Sequence, residues 1–143
     1  MRRDLLLQNT PPEWNVSVFT QDDFDYYCDH AGIAVREVSL EQPGLYICRD
    51  GRPQIFLNDE LRGSERLFVG FHELAHHWLH PPRIQFFLGW EETVEVEADI
   101  VAACALIPHT LLNHYWPGEI AELYGYPPSL IELRREVFDR WRI

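Results

Sequence analysis

Two histidines four residues apart, His72 and His76, enclose a glutamate at position 73 in the stretch Phe71-His72-Glu73-Leu74-Ala75-His76-His77-Trp78. On a helix, residues at that spacing lie one turn apart on one face. Their two imidazoles can then bind one metal ion. Glu73 falls about 100° round the helix from His72 and about 60° from His76. Its carboxylate would stand beside a metal rather than on it, where a general base for an attacking water belongs. Phe71, Leu74, Ala75 and Trp78 form an apolar stripe on the other side, so the helix can pack one face and present the other. The five-residue pattern alone also fits a helix with two surface histidines, and a third ligand has to be found elsewhere.

A catalytic zinc usually has three protein ligands and one open position. The segment from Glu91 to Asp99 holds Glu91, Glu92, Glu95 and Glu97 besides the aspartate. Glu95 and Asp99 are four apart and share a helix face, whereas Glu97 lies about 200° from Glu95 and points away. That face can do two jobs: Glu95 ligates the metal, and Asp99 accepts a hydrogen bond from the free ring nitrogen of a ligand histidine, fixing its tautomer. Valines and alanines run between and after these acids from Val94 to Ala105, so the helix reads as largely buried, where unpartnered carboxylates are costly. His80 continues the series from His76, but it lies about 12 Å along the axis from His72. Nitrogens bound about 2.1 Å from one metal cannot be so far apart. His80 is therefore read as a helix C-terminal residue favoured by the dipole, and His77 as an edge or surface residue. His109, His114 or Tyr115 could stabilise an oxyanion, and the sequence selects none of them.

The elements that must position these groups follow from local signals. Residues 1–19 contain Pro11-Pro12 and no clear period, and read as a loosely packed arm. Residues 20–143 read as one domain. A helix begins at an N-cap, Thr20, with acids in its first turn, turns Phe24, Tyr27 and Cys28 inward, and ends at Gly32. Ile33 to Val38, Leu45 to Cys48 and Gln54 to Leu57 are β-rich, and Asp50-Gly51 between the last two signals a hairpin. Gly63-Ser64 opens the metal helix and Pro81-Pro82 stops it. Residues 83–90, with Phe86, Phe87 and Trp90, are apolar; they either line a substrate groove or cover the core. A helix from about Glu91 to Leu106 precedes a break at Pro108, a short helix over Thr110 to Tyr115, and two helices about the Gly125-Tyr126-Pro127-Pro128 turn. Ser129 with Glu132 has the pattern of a capping box. The fold expected is α+β: a small three-stranded sheet packed on the metal helix, with a mostly helical C-terminal half.

Composition narrows the function. With 143 residues the chain can bury one substantial core. Its formal net charge of −11 disfavours a general nucleic-acid binder and suits a basic partner. No apolar run approaches a membrane span, and Met1-Arg2-Arg3 with Leu5-Leu6-Leu7 does not make a signal peptide. Cys28, Cys48 and Cys104 are odd in number and lack Cys-x-x-Cys spacing, which reads as free thiols in a reducing cytoplasm. Cys104, among alanines, reads as a small core residue.

Taken together, His-Glu-Leu-Ala-His with Trp-Leu-His after it, Glu95-x-Glu97-Ala98-Asp99, and Ala-Leu-Ile-Pro at 105–108 resemble the ImmA/IrrE family of zinc metallopeptidases. The resemblance extends over roughly residues 20–140. It takes in the strand pair around Gly44-Leu45-Tyr46 and Gln54-Ile55-Phe56-Leu57-Asn58, and Ile120 to Gly125 with Arg134-Arg135 downstream. It implies an endopeptidase with a glutamate third ligand and a thermolysin-like Glu-x-x-x-Asp step, in which His72, His76 and Glu95 hold Zn²⁺ and Glu73 is the base. Asp99 stands where the family often has Asn, and an aspartate fills the same hydrogen-bonding role. Relatives typically act on a transcriptional repressor, often in prophages, mobile elements or toxin–antitoxin pairs. The chain shows neither the fused DNA-binding domain nor the sensor domain of some relatives, so a separate regulator is the implied substrate. Two other readings stand beside it. One is a non-catalytic partner that keeps the zinc site and binds a regulator. The other is a helix–turn–helix-like DNA-binding module over Glu119 to Arg142, using Arg134, Arg135, Arg140 and Arg142 among the acids Glu119, Glu122, Glu132, Glu136 and Asp139.

Overall fold

The computed structural model describes residues 1–80 and 91–143. Its elements run α1 (Arg3–Asn9), α2 (Gln21–His30), β1 (Ala34–Val38), β2 (Gly44–Arg49), β3 (Arg52–Asn58), α3 (Gly63–Leu79), α4 (Glu91–Leu106), α5 (His109–His114), α6 (Pro117–Tyr124) and α7 (Pro128–Trp141). This is the expected α+β arrangement, with one three-stranded sheet ahead of a helical C-terminal half. The strand order is β1-β3-β2, with β1 parallel and β2 antiparallel to β3. Asp50 and Gly51 both take positive φ, 53° and 72°, between the paired Arg49 and Arg52. That is the two-residue turn whose twist matches the flanking strands.

β3 is the central strand, and its alternate residues Ile55 and Leu57 are fully buried. They pair with Tyr46 and Gly44 of β2, so those two residues share the sheet face carrying Ile55 and Leu57. The sheet packs on α3, whose Phe71, Leu74 and Ala75 have no exposed surface. Trp78, assigned to the same stripe, is half-buried and meets Tyr27 edge-on at 5.6 Å. Across α3 lies α4, buried all round from Ala98 to Leu106 apart from Asp99. A helix apolar on every side belongs in the middle of a core, and here α3 and α4 are its two central rods. α2 has the expected cap: the Thr20 hydroxyl accepts from the Asp23 amide, and the Asp23 carboxylate accepts from the Thr20 amide. It closes on α3 at Gly70, where a Cβ would come within 3.1 Å of the Phe24 ring.

Two expectations need correction. Residues 1–19 are not loosely packed. Leu6, Trp14 and Phe19 are buried, the Trp14 indole donates to the Val101 carbonyl at 3.0 Å, and the Phe19 amide donates to Ala105 at 2.8 Å. Their irregular spacing carries no period because most of this segment is a wrapped chain rather than one amphipathic helix. Nor does Ser129 cap α7. The N-cap is Pro127, followed by Pro128 at the first helical position, where the missing N–H costs nothing. The expected stop at Pro81-Pro82 lies outside the described residues.

Arg134 is fully buried at the far end of this core. Its guanidinium donates to the Ile107 carbonyl and, at 3.2 Å, to the Asn15 side chain. Asn15, at φ 64°, also accepts from the His109 amide at 2.8 Å. One side chain thus ties together the start, middle and end of the chain. It also removes Arg134 from any surface that could meet DNA phosphates. Arg140 and Arg142 lie over the rings of Trp141 and Phe138.

Candidate metal centre and cleft

α3 places His72 and His76 one turn apart, and α4 crosses them with Glu95 and Asp99 on its near face. His72 Nε2 lies 3.3 Å from His76 Nε2. The Glu95 carboxylate is 3.0 Å from the first through Oε2 and 3.2 Å from the second through Oε1. A tetrahedral ion with bonds of 2.0–2.1 Å needs donor atoms about 3.3–3.4 Å apart. The donor set therefore fits a single zinc-sized ion with little movement. Glu73 is set back: its Oε1 is 4.0 Å from His72 Nε2. His72, Glu73 and His76 also form a group tight enough for an ion, but the shorter Glu95 distances make Glu95 the better third donor and leave Glu73 beside the centre.

Both ring nitrogens of His72 are engaged, with Nδ1 at 2.8 Å from Asp99 Oδ1. Burial works against a charged His72, yet the hydrogen bonds to Asp99 and Glu95, with the Glu73 charge, carry its pKa up to about 10. The hydrogen bond from His72, with the His76 ring beside it, holds the Glu95 carboxyl far below its ordinary range. Burial raises the pKa of Glu73 against the pull of the two histidines. A site with these leanings favours a cation between the rings and a glutamate that readily takes a proton.

Glu97 turns to the opposite side of α4, as the spacing requires, and is fully buried. His80 closes the C-terminal end of α3, as read, and is in addition completely buried, with Nε2 3.1 Å from Glu97 and Nδ1 3.0 Å from His76 Nδ1. The reason is spacing: His80 is one turn on from His76 and continues the same face. His77, read as an edge or surface residue, is partly buried against the edge strand β2. Its Nδ1 lies 2.7 Å from the Tyr46 hydroxyl.

β2 forms one wall of the cleft. A space of about 250 Å³ is lined by Gly44, Leu45, Tyr46, Glu73, His76, Val94 and Glu95. It adjoins one of about 340 Å³ that reaches His72 and Asp99 along Gln42 and Pro43. Gly44 is a cleft-lining position that residue types did not single out. A Cβ there would come within 2.7 Å of Val69 Cγ1 and 3.1 Å of Glu73 Cγ. Only glycine lets β2 close on Glu73. The registers explain why: two strand residues advance about 6.8 Å and one four-residue helix step about 6 Å. Gly44 thus faces Glu73 while Tyr46 faces His77.

The other candidates fall elsewhere. The His109 ring packs on Phe138 at 5.6 Å, its amide serves the Asn15 knot, and it lines neither cleft space. Tyr115 borders a separate hollow with His114, Trp116 and Glu119. Phe86, Phe87 and Trp90 lie outside the described residues. Among the described residues no helix is long and apolar enough to cross a membrane.

Comparison with known proteins fits this geometry. The pattern of the Peptidase_M78 family, the IrrE N-terminal-like domain, matches residues 28–134, a stretch containing His72, Glu73, His76, Glu95 and Asp99. A curated relative from Bacillus phage phi105, "Uncharacterized immunity region protein 2", is 33% identical over an alignment of 102 residues, with coverage of 64% of this chain and 64% of that protein. The match thus spans just under two thirds of that relative's length.

Proposed function

The chain belongs to the Peptidase_M78 family, and from that premise we propose that it is a zinc-dependent endopeptidase making a site-specific cut in a partner protein, a DNA-binding transcriptional repressor. The observation that carries the reading is the set of three donor side chains whose nearest donor atoms lie 3.0–3.3 Å apart, with Glu73 beside them in a strand-walled cleft. His72, His76 and Glu95 would hold the ion. Bound zinc would supply Lewis-acid polarisation of the scissile carbonyl and acidify the attacking water. Glu73 takes the water's proton and passes it to the leaving amine, a role suited to a buried carboxylate of raised pKa. Asp99 accepts from His72 Nδ1 and keeps its Nε2 turned inward.

β2 is an edge strand, and no described strand pairs with its outer side. An extended substrate segment laid along that edge gains backbone hydrogen bonds and passes the site. Peptide geometry alone would recognise many chains, so specificity comes from docking a folded partner. The net charge of −11 favours a basic one, and repressors that bind DNA are basic. The relative's name, an immunity region protein, supports a setting of phage-type gene control. Three free cysteines, two of them buried, suit the cytoplasm. The test is incubation of the zinc-loaded protein with the regulator encoded beside it and with unrelated unfolded proteins, using Glu73→Gln as control. One defined cut in the regulator alone supports the reading. Indiscriminate digestion refutes the specificity, and binding of the regulator without any cut favours a non-catalytic partner.

A further inference from the structure

We infer that a buried row of side chains, Arg2–Glu97–His80, positions His76 by fixing which of its ring nitrogens carries the proton. The inference rests on the metal-site reading above. Glu97 and His80 have no exposed surface. The Arg2 amide donates to Glu97 Oε2 at 2.8 Å and its guanidinium to Oε1 at 2.7 Å. Both oxygens of Glu97 are therefore acceptors, and the contact to His80 Nε2 at 3.1 Å requires a proton on that nitrogen. With its single proton on Nε2, His80 presents a bare Nδ1. His76 Nδ1, 3.0 Å away, must then be the donor. His76 is left with its lone pair on Nε2, the atom that faces His72 and Glu95. Each step determines the next. Run the opposite way, with His80 Nδ1 donating, the proton of His76 would sit on Nε2 and block the ligand position.

The two histidines are thus oriented by different means. His72 leans directly on Asp99, whose side chain is 44% exposed, and His76 leans through a second imidazole on a buried carboxylate. The row also reaches beyond the stretch matched by the family pattern, because Arg2 lies outside residues 28–134. Arg2, Glu97 and His80 are positioning residues; none faces the cleft spaces beside the site.

The decisive measurement is long-range ¹⁵N–¹H NMR of the zinc-loaded protein with labelled histidine. His80 is expected as the Nε2–H tautomer and His76 as the Nδ1–H tautomer; His80 as the Nδ1–H tautomer overturns the inference. Zinc affinity, read by competition with a chelator, gives the second arm. His80→Phe, which keeps the ring shape without nitrogens, is expected to weaken binding about 10–100-fold. His80→Gln, which can accept and donate, is expected to restore part of that loss. Affinity unchanged in a folded His80→Phe protein overturns the row while leaving the metal site standing. Should that variant not fold, the tautomers of the unsubstituted protein decide. A protein that takes up no zinc at all overturns the metal-site reading and this inference with it, an outcome readily told apart from the others.

Discussion

At the scale of single residues, the centre separates two kinds of carboxylate that look alike in the sequence. Glu95 touches both histidines and Glu97 touches neither. With zinc in excess, Glu95→Ala should lose the stoichiometric ion while Glu97→Ala retains it at lower affinity; elemental analysis showing the reverse pattern would remove Glu95 from the ligand set. Glu73→Gln should bind zinc and melt as the parent does, yet cleave about 10²–10⁴-fold more slowly, the range general acid–base catalysis supplies. Parent-like turnover in that variant would place the base elsewhere. Gly44→Ala tests the strand wall. The added methyl meets Val69 and Glu73, so it should cost about 1–3 kcal/mol in urea unfolding and reduce cleavage by displacing Glu73. Unaltered activity would show that β2 has room to spare.

Among the elements, what could be read from the sequence was whatever depends on near neighbours. His72 with His76, Glu95 with Asp99, the Thr20 cap and the Asp50-Gly51 turn each follow from helical or hairpin spacing. Contacts that join distant segments had no such signal. Tyr46 with His77, Glu97 with His80 and Arg2, and Asn15 with Arg134 are polar contacts between distant parts of the chain. The early segment was misjudged for the same reason: the Trp14 indole and the Phe19 amide bond to α4, and the Phe19 ring packs on Tyr27 and Phe71, so neither needs a periodic face of its own. The DNA-binding reading of the last helices counted Arg134 among its surface arginines, yet Arg134 serves the Ile107 carbonyl just past the end of α4. Arg134→Met keeps most of the volume but leaves that carbonyl unpaired. It should destabilise the protein by about 1–3 kcal/mol; an unshifted urea midpoint would mean another donor takes over.

For the whole molecule, the proposed metal site is a clamp between its two central helices. An ion held by His72 and His76 on α3 and by Glu95 on α4 binds only the folded arrangement. Chelation should therefore lower the melting temperature, and each hundredfold excess of zinc over its dissociation constant should contribute about 2.7 kcal/mol. A melting curve indifferent to zinc would argue against a shared ion. The long-range ties have a further consequence, one of timing. The Trp14 indole finds its carbonyl 87 residues later and Asn15 its guanidinium 119 residues later. A ribosome adds about 5–20 residues per second, so the first aromatic side chains wait on the order of ten seconds for the helix that buries them. Glu95 emerges in the same interval, well after His72 and His76. A growing chain that carries both histidines must add 19 more residues before Glu95 is made, so the proposed three-ligand site cannot close until then.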